Sequence, residues 1–309
     1  MILHQRTLAK QVSVTGIGLH SGKKVKLTLL PAPTDFGIQF QRTDIPRAPK
    51  LKADAQIVGA TENNTTLGLD RNQIHTVEHL LSVLYGLCID NLLCEIDGPE
   101  VPIMDGSSSS FVFLLKEAGI VKQAKDKKFM IILETIECAQ GDKWAKISPS
   151  TQFEIDSTII FPHPIIGEQR KLFRFSSNDY IKEISRARTF GLLSSVEGLK
   201  RKGLIKGGSL DNAVVLDDYK VMNPEGLRFA NEFVRHKILD TIGDMALLGP
   251  HPIIGKITTY KSGHNIHNQL CRKLLNSPNS FQIFAASELS YETRSNLESL
   301  YFSQMAYLA

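Results

Sequence analysis

The chain has 309 residues, of which 42% are hydrophobic and 22% charged, and its formal net charge at pH 7 is +4. This composition is typical of a soluble globular protein, and the length favours two domains of ordinary size. The basic residues are spread along the chain rather than gathered into a stripe, so no nucleic acid is expected as a partner.

The sequence contains no recognisable export or membrane signal. The first residues lack the apolar core and small-residue cleavage site of a signal peptide, and no apolar run reaches the ~18 residues of a membrane span. The four cysteines show no CxxC spacing, so reduced thiols are expected rather than a disulfide framework. We expect a cytoplasmic protein with no transmembrane segment, and no sequence feature requires an oligomer.

In the first half, predicted strands are followed by a helix, a strand and a second helix. Alternating apolar and polar residues predict strands, and turn-rich residues follow the first of them at 15–22. The predicted strands are 12–14, 25–29, 37–40 and 91–96. Apolar residues at helical spacing predict helices over 74–85, closed by Gly86, and over 110–118. Residues 1–125 are therefore predicted to form a first α+β domain.

A Lys-rich, polar stretch at 122–128 is the best candidate for a linker, and a second domain is predicted over 126–286. Strands are predicted at 129–133, 153–161 and 253–259, and a helix from about 226 to 248, capped by Gly249-Pro250. Residues 287–309 form a C-terminal extension that is predicted to pack as a short amphipathic helix. Because similar elements recur in both halves, we expect an α+β fold of two similar layered domains.

Two stretches concentrate side chains that bind metals, one at 75–79 and the other at 236–244. In the second, His236 and Asp240 lie four residues apart on a predicted helix, so both project from one face and can bind the same ion. An exposed His/Asp pair explains that spacing as well. The largely apolar helix, with Gly243 and Asp244 one turn further on, favours the metal site.

The first stretch allows two interpretations. His75-x-x-Glu78-His79 matches the inverted zinc-peptidase pattern, in which both histidines bind zinc and the glutamate activates water. If His75 and His79 joined His236 and Asp240 on one zinc, the tetrahedron would be complete with no position for water, as in a structural site. A catalytic site must therefore omit one of the four, and a noncatalytic zinc-binding module remains a further alternative.

Seven motifs, in order along nearly the whole chain, resemble the zinc-dependent UDP-3-O-acyl-N-acetylglucosamine deacetylases of lipid A synthesis. They are Thr-Gly-Ile-Gly-Leu-His-Ser-Gly at 15–22, Thr-Val-Glu-His-Leu at 76–80, Asp90-Asn91, Pro-Ile-Met-Asp-Gly-Ser at 102–107, Ala-Arg-Thr-Phe-Gly at 187–191, His-Lys-x-x-Asp-x-x-Gly-Asp at 236–244 and Gly263-His264. The resemblance implies hydrolysis of the acetamide of an acylated UDP-sugar, with Zn²⁺, or Fe²⁺ at a similar N/O site, as the cofactor. It also implies that each domain is a sheet with two main helices, that the helices pack between the sheets, and that the active site lies at the domain interface.

The same resemblance implies a role for each candidate residue at the metal. Zinc would be held by His79, His236 and Asp240, with Glu78 as the base that takes a proton from the attacking water. Three protein ligands plus water is the usual arrangement of catalytic zinc, and the ion lowers the pKa of that water toward about 7.

Further roles follow for residues beyond the metal ligands. The Thr189 hydroxyl would stabilise the oxyanion, and a protonated His264 would add positive charge and protonate the departing amine. Asp244 resembles the carboxylate partner that raises the pKa of His264 and orients its ring. We favour His264 over His267, three residues on. Lys237 would bind substrate oxygens or the diphosphate, although a solvated lysine explains that position too.

Three further features lie in or near these motifs, namely His20, His75 and the segment 63–66. His20 lies in the Gly-rich turn, and since the metal site is complete without it, we read it as structural or near the cleft rim. His75 stands where the family more often has a small polar residue. The segment 63–66 carries no cysteine, so metal inhibition through a thiolate is not expected.

An apolar segment follows Thr189 and is interrupted only by short glycine-containing stretches. It predicts an insertion near 190–217 with the order strand, helix, strand. An ordinary small subdomain core explains this pattern equally well. The resemblance favours an apolar passage for the 3-O-acyl chain of the substrate, lined by residues such as Phe190, Leu192 and Val215.

Overall fold

The computed structural model describes residues 3–201 and 203–302. The first half contains strands β1 (His4–Leu8), β2 (Val12–Ile17), β3 (Lys24–Pro31), β4 (Ile38–Arg42), β5 (Leu51–Lys52), β6 (Val58–Ala60), β7 (Thr66–Leu67) and β8 (Leu92–Ile96). Its helices are α1 (Glu78–Gly86) and α2 (Ser109–Ala118). Strands and helices are thus mixed within this half, as the residue periodicity predicted.

The second half contains strands β9 (Ile120–Asp126), β10 (Lys128–Ile132), β11 (Ile136–Gln140), β12 (Lys143–Ser148), β13 (Phe153–Ile160), β14 (Glu168–Arg174), β15 (Phe190–Leu192), β16 (Val214–Leu216), β17 (Ile253–Tyr260) and β18 (Phe281–Ala285). Its helices are α3 (Ser177–Asp179), α4 (Leu193–Arg201), α5 (Glu232–Met245), α6 (His264–Leu275) and α7 (Tyr291–Phe302). The predicted α+β class is confirmed. Of the residues that the structure describes, none belongs to a helix with the length and apolarity needed to cross a bilayer.

Two large sheets organise the fold. The first has five strands in the order β2-β3-β8-β4-β5, and the second has seven, in the order β11-β12-β17-β10-β18 with β13 and β14 joined through β17. Strand β3 buries Val25, Leu27 and Leu29, whereas Lys26 is exposed and Thr28 is half-buried, the alternation that the sequence predicted. The apolar faces of both sheets contribute to one continuous buried core.

The main helices lie between these sheets. Helix α2 contacts β2 of the first sheet, α5 contacts β13 and β14 of the second, and α1 packs along α5. A Cβ atom at Gly243 of α5 would lie 2.1 Å from the carbonyl oxygen of Glu78 at the start of α1. Only glycine allows this approach, which joins a helix of the first half directly to a helix of the second.

The helix boundaries differ from the predicted ones at their N-terminal ends. Helix α1 begins at Glu78 rather than near residue 74, because Thr76 has φ of 58° and interrupts any helix that would include His75. Helix α5 begins at Glu232 rather than near residue 226, since Asn231 directly before it has a non-helical backbone with φ of −116° and ψ of 43°. Both changes alter which side chains share a helical face.

The Lys-rich segment predicted as a linker is ordered. Most of it forms β9, which pairs antiparallel with β1 near the N-terminus. Next to it, the buried Lys127 ammonium lies 2.5 Å from both carboxylate oxygens of Asp90. A partner strand distant in sequence supplies the hydrogen bonds, and local composition carries no sign of that partner. The domain boundary near residue 125 stays a prediction.

The insertion and the C-terminal extension are also visible. Strands β15 and β16 pair in parallel and flank α4, the strand, helix, strand order expected for 190–217. In the extension, α7 buries Leu297 and Tyr301 in the main core, and the Tyr301 ring lies 5.0 Å from that of Phe175. Residues 303–309 of the extension lie outside the described residues.

Candidate metal centre and catalytic cleft

Three potential metal ligands converge where α1 and α5 meet. His79 comes from the first turn of α1, and His236 and Asp240 project from one face of α5. The Asp240 Oδ1 atom lies 3.3 Å from His236 Nε2 and 3.6 Å from His79 Nε2. All three side chains are buried. The structure therefore brings together the three residues that the family resemblance implied as ligands.

These distances match shared coordination of one ion. Two ligand atoms that each lie about 2.0–2.1 Å from a tetrahedral ion are separated by roughly 3.3–3.4 Å. The Asp240 Oδ1 atom is buried and has no hydrogen-bond partner among the described residues. A buried carboxylate oxygen without a partner is costly, and a cation between it and the two imidazoles would satisfy it. The residues present therefore fit a metal ion.

Neighbouring groups hold the ligands in the form that binds metal. His236 Nδ1 lies 3.1 Å from the Ala187 carbonyl oxygen, which favours the tautomer with a lone pair on Nε2. Burial lowers the pKa of His79 to about 3, so its imidazole is neutral. Burial opposes ionisation of Asp240, but the positive charges of Lys237 and His264 hold its pKa well below the ordinary range. Neutral imidazoles beside an ionised carboxylate form a typical divalent-cation site.

Glu78 lies beside this cluster as the first residue of α1. Its Oε2 atom accepts a hydrogen bond of 3.0 Å from the Thr65 backbone N–H, which leaves Oε1 free to accept a proton. Burial, reinforced by the Asp244 and Asp240 carboxylates, raises the pKa of Glu78 to about 8, although His264 opposes the shift. A cation bound at the three ligands would lower that pKa and favour the carboxylate.

His264 reaches the cleft from the first turn of α6. Its Nε2 lies 4.0 Å from Glu78 Oε1, and its Nδ1 lies 2.8 Å from Asp244 Oδ2. Burial alone would lower the pKa of His264, but the Asp244 carboxylate outweighs it and raises that pKa to about 9. The imidazolium is thus the stable form at neutral pH, as required of a proton donor.

His267 lies behind His264 and does not line the cleft. Its Nδ1 lies 2.8 Å from the same Asp244 Oδ2, and its Nε2 lies 2.8 Å from Ser262 Oγ. Asp244, His264 and His267 form a second cluster of potential ligands. Their nitrogen to oxygen distances of 2.8 Å fit hydrogen bonds rather than a shared ion.

Thr65 is a central residue that the sequence reasoning missed. Besides its backbone bond to Glu78, its Oγ1 donates to Asp244 Oδ1 at 2.6 Å and lies 3.2 Å from His264 Nδ1. One threonine thus orients three candidate catalytic side chains. Its segment drew notice only because it has no cysteine, and a lone threonine in a loop has no spacing that signals such a role.

The cleft has a volume of about 340 Å³ and brings most of the predicted site residues together. Its lining includes Glu78, His79, Thr189, Phe190, Leu192, His236, Lys237, Asp240 and His264. The half-buried Lys237 donates from Nζ to Asp240 Oδ2 at 2.7 Å, so it is not a freely solvated lysine. Thr189 is held at the cleft by its backbone, which donates to the Gly106 carbonyl at 2.7 Å.

Val215 lines a different, adjoining cavity of about 260 Å³ between the insertion and the Gly-rich turn. Both spaces are bordered by Leu19, Thr189, Phe190, Gly191 and Ile205. The neighbours of Val215 on β16, Val214 and Leu216, instead pack into a small separate core with Phe233. One face of the insertion is thus a subdomain core, and the other borders an apolar cavity next to the candidate metal site.

Two other histidines, His75 and His20, differ in their position relative to the cleft. His75 lies outside the three-ligand cluster and the cleft lining, and its Nδ1 lies 2.9 Å from Thr66 Oγ1. Since it precedes α1, it does not share a helical face with His79, so the geometry does not support the inverted peptidase arrangement. His20 is buried at the cleft, and its ring nitrogens have no hydrogen-bond partner within the described part of the chain.

Comparison with known proteins gives one consistent result. Residues 5–276 match the family model described as UDP-3-O-acyl N-acetylglycosamine deacetylase. A UDP-3-O-acyl-N-acetylglucosamine deacetylase of Myxococcus xanthus (strain DK1622) is 48% identical over 94% of this chain and 92% of its own. Proteins of the same name from Vibrio parahaemolyticus and a Psychrobacter species are 51% and 49% identical, over 89% and 94% of this chain and 90% and 99% of their own.

Proposed function

Because the chain belongs to the UDP-3-O-acyl N-acetylglycosamine deacetylase family, we propose that it hydrolyses the acetamide of UDP-3-O-(3-hydroxyacyl)-N-acetylglucosamine. The products are UDP-3-O-(3-hydroxyacyl)-glucosamine and acetate, the committed step of lipid A synthesis. The protein is thus a deacetylase that acts on an amide bond. The observation that carries this proposal is the convergence of three potential metal ligands, Glu78 and His264 in one cleft beside an apolar cavity.

We propose Zn²⁺ as the ion held by His79, His236 and Asp240, with Fe²⁺ as the alternative at the same N/O ligands. When bound, the ion polarises the amide carbonyl and lowers the pKa of water toward about 7. Two neutral imidazoles and one carboxylate leave a net charge of +1 on the complex. That charge favours an anionic transition state in a buried site.

Glu78 accepts the proton of the attacking water on Oε1, since Oε2 is occupied by the Thr65 N–H. The Thr189 hydroxyl donates to the oxyanion that develops on the acetamide carbonyl. His264 then gives its Nε2 proton to the departing amine. Asp244 accepts a hydrogen bond from Nδ1 on the other edge of the ring. The proton that leaves is therefore the one on Nε2, which faces Glu78 and the cleft.

The adjoining cavity is proposed to hold the 3-O-acyl chain, with Phe190 and Val215 contacting the chain there and Leu192 contacting it from the cleft beside the candidate metal site. Burying each methylene contributes roughly 0.8 kcal/mol, so five methylenes favour the acylated substrate by about 4 kcal/mol, or nearly a thousandfold. The proposed substrate carries two recognition features, a UDP-sugar and an acyl chain. Lys237 is proposed to bind substrate oxygens or the diphosphate. The cytoplasmic location expected from the sequence stays a prediction.

The decisive experiment compares kcat/KM of the metal-loaded protein on the acylated UDP-sugar and on UDP-N-acetylglucosamine. We expect a preference for the acylated substrate of about a thousandfold. Val215→Gln should reduce that preference because it places an amide in the cavity. Val121→Gln, the same change on exposed β9, should leave it intact. Equal efficiency on both substrates would reject the acyl passage, and no hydrolysis of either would reject the deacetylase proposal.

A further inference from the structure

Two histidines share a single oxygen of Asp244. The Nδ1 atoms of His264 and His267 each lie 2.8 Å from Asp244 Oδ2, while Thr65 Oγ1 donates to Oδ1 at 2.6 Å. Asp244, His267 and Thr65 are all buried, so water does not substitute for these contacts. The reaction as described uses His264 and Asp244 and leaves His267 without a role.

The chemistry of the carboxylate determines where the protons are. An ionised carboxylate only accepts hydrogen bonds, so both Nδ1 atoms must carry a proton. A neutral His267 then has its lone pair on Nε2, where the Ser262 hydroxyl lies 2.8 Å away and can donate. His267 is therefore held in one tautomer from both sides, with its Nδ1 proton directed at Asp244.

We propose that His267 is a positioning residue: by sharing Asp244 Oδ2, it limits how strongly that carboxylate holds His264, and so eases proton delivery to the departing amine. A hydrogen bond to an ionised carboxylate stabilises the charge and lowers the basicity of the group, so the carboxylate holds a second protonated donor less strongly. This inference rests on the proposed function, in which His264 is the proton donor.

Other ionisable groups also act on His264 or Asp244 and must stay constant in a test. They are Glu78 and His79 from α1, His236, Lys237 and Asp240 from α5, and Cys271 from α6. None of their side chains is hydrogen bonded to the His267 side chain in the described structure. A substitution at His267 therefore changes one donor to Asp244 and leaves the rest of this set in place.

The sign of the effect follows from this geometry. Removing the His267 donor leaves Asp244 Oδ2 to His264 alone, so the imidazolium is held more strongly and the pKa of His264 rises. Activity that depends on protonated His264 is lost as pH rises through that pKa. The basic limb of the kcat/KM profile should therefore move to higher pH by about half a unit to one unit in a variant without the donor.

The experiment uses the zinc-loaded full chain and measures kcat/KM against pH for wild type, His267→Leu and His267→Asn. The leucine removes the donor, whereas the asparagine amide occupies the position of Nδ1 and restores it. We expect the basic limb to shift upward in His267→Leu and to return to the wild-type position in His267→Asn. Ser262→Ala removes the hydrogen bond between Ser262 and His267 Nε2 without changing a contact of Asp244, and it is the control for that bond. His267→Ala is a second variant without the donor.

Imidazole nitrogen NMR provides a readout that is independent of turnover. It should show the His267 proton on Nδ1 in the wild type, and a higher titration point for His264 in the donor-free variants. A basic limb that stays in place or moves to lower pH in those variants overturns the proposal. The proposal is also overturned if the basic limb shifts in His267→Asn as much as it does in His267→Leu, or if the wild-type His267 carries its proton on Nε2. Absence of deacetylation by the wild type would instead reject the proposed function, and the NMR titration would still test the link between the histidines.

Discussion

Two carboxylates in the cleft, Asp240 and Glu78, have opposite protonation behaviour. Burial opposes ionisation of Asp240, but the positive charges of Lys237 and His264 hold its pKa well below the ordinary range. Glu78 is buried near two other carboxylates, and its pKa rises to about 8. Different environments thus suit one carboxylate to binding a cation and the other to exchanging protons.

Replacement of Glu78 by glutamine tests this division of roles. The amide keeps the shape and can still contact Thr65, but it cannot accept a proton, so kcat/KM should fall by roughly 10²-fold or more with metal content unchanged. Metal analysis and the deacetylation assay measure the two quantities. Near-normal turnover with metal bound would contradict the role of Glu78 as base.

His75→Ala is the matched control, because His75 belongs to the same short motif but lies outside the ligand cluster. It should retain one metal per chain and near-normal deacetylation. A peptidase of the inverted type would need His75 as a ligand. Loss of metal in this variant would therefore favour that alternative.

At the scale of elements, the contact between α1 and α5 sets the geometry of the candidate metal ligands. The first turn of α1 carries Glu78 and His79, and α5 carries His236 and Asp240. Gly243 of α5 lies against the Glu78 backbone, so the separation of the two helices is set at Glu78 itself. A side chain at this point would move the ligands of one helix relative to those of the other.

Gly243→Ala should therefore weaken metal binding as well as the fold. The added methyl group would meet backbone atoms that cannot rotate away, and we expect a loss of about 1–3 kcal/mol in the free energy of unfolding. Denaturant unfolding and metal titration measure the two effects. Gly198→Ala, in the open helix α4, is the control and should stabilise slightly through helix propensity. Unchanged metal affinity in Gly243→Ala would show that the helix contact does not control the site.

At the scale of the whole molecule, the candidate metal site joins the two halves of the chain. His79 comes from the half that forms the five-stranded sheet, and His236 and Asp240 from the half that forms the seven-stranded sheet. The buried core is continuous between the sheets. Metal binding is therefore expected to stabilise the entire fold rather than one local segment.

Removal of the metal by chelation should lower the melting temperature of the whole protein in one transition. At free metal 100-fold above Kd, metal binding raises the free energy of unfolding by about 2.7 kcal/mol. This gain is lost when a side chain that binds the metal is replaced. Asp240→Asn should show little difference between metal-loaded and chelated samples, whereas Asp211→Asn, an exposed position, should keep the full difference. Calorimetry measures both. An equal metal-dependent shift in Asp240→Asn would exclude Asp240 as a ligand.

Local sequence patterns were sufficient for several features of this protein. Alternating apolar residues identified β3, helical spacing identified α1, α2 and α5, and the ordered motifs identified the family. The four-residue spacing of His236 and Asp240 correctly placed both on one helical face. These features were accessible because each depends on residues that are close together in the chain.

Other features depended on contacts between distant segments. The exclusion of His75 from the ligand cluster followed from the backbone at Thr76, and Thr65 meets Asp244 across 179 positions of sequence. The pairing of β9 with β1 and the sharing of Asp244 by His264 and His267 are of the same kind. Spacing along one element predicts a shared face, but it does not specify which loop, strand or second side chain packs against that face. Those choices come from the packing of α1, α5 and α6 between the sheets, which minimises the free energy of the whole chain at once.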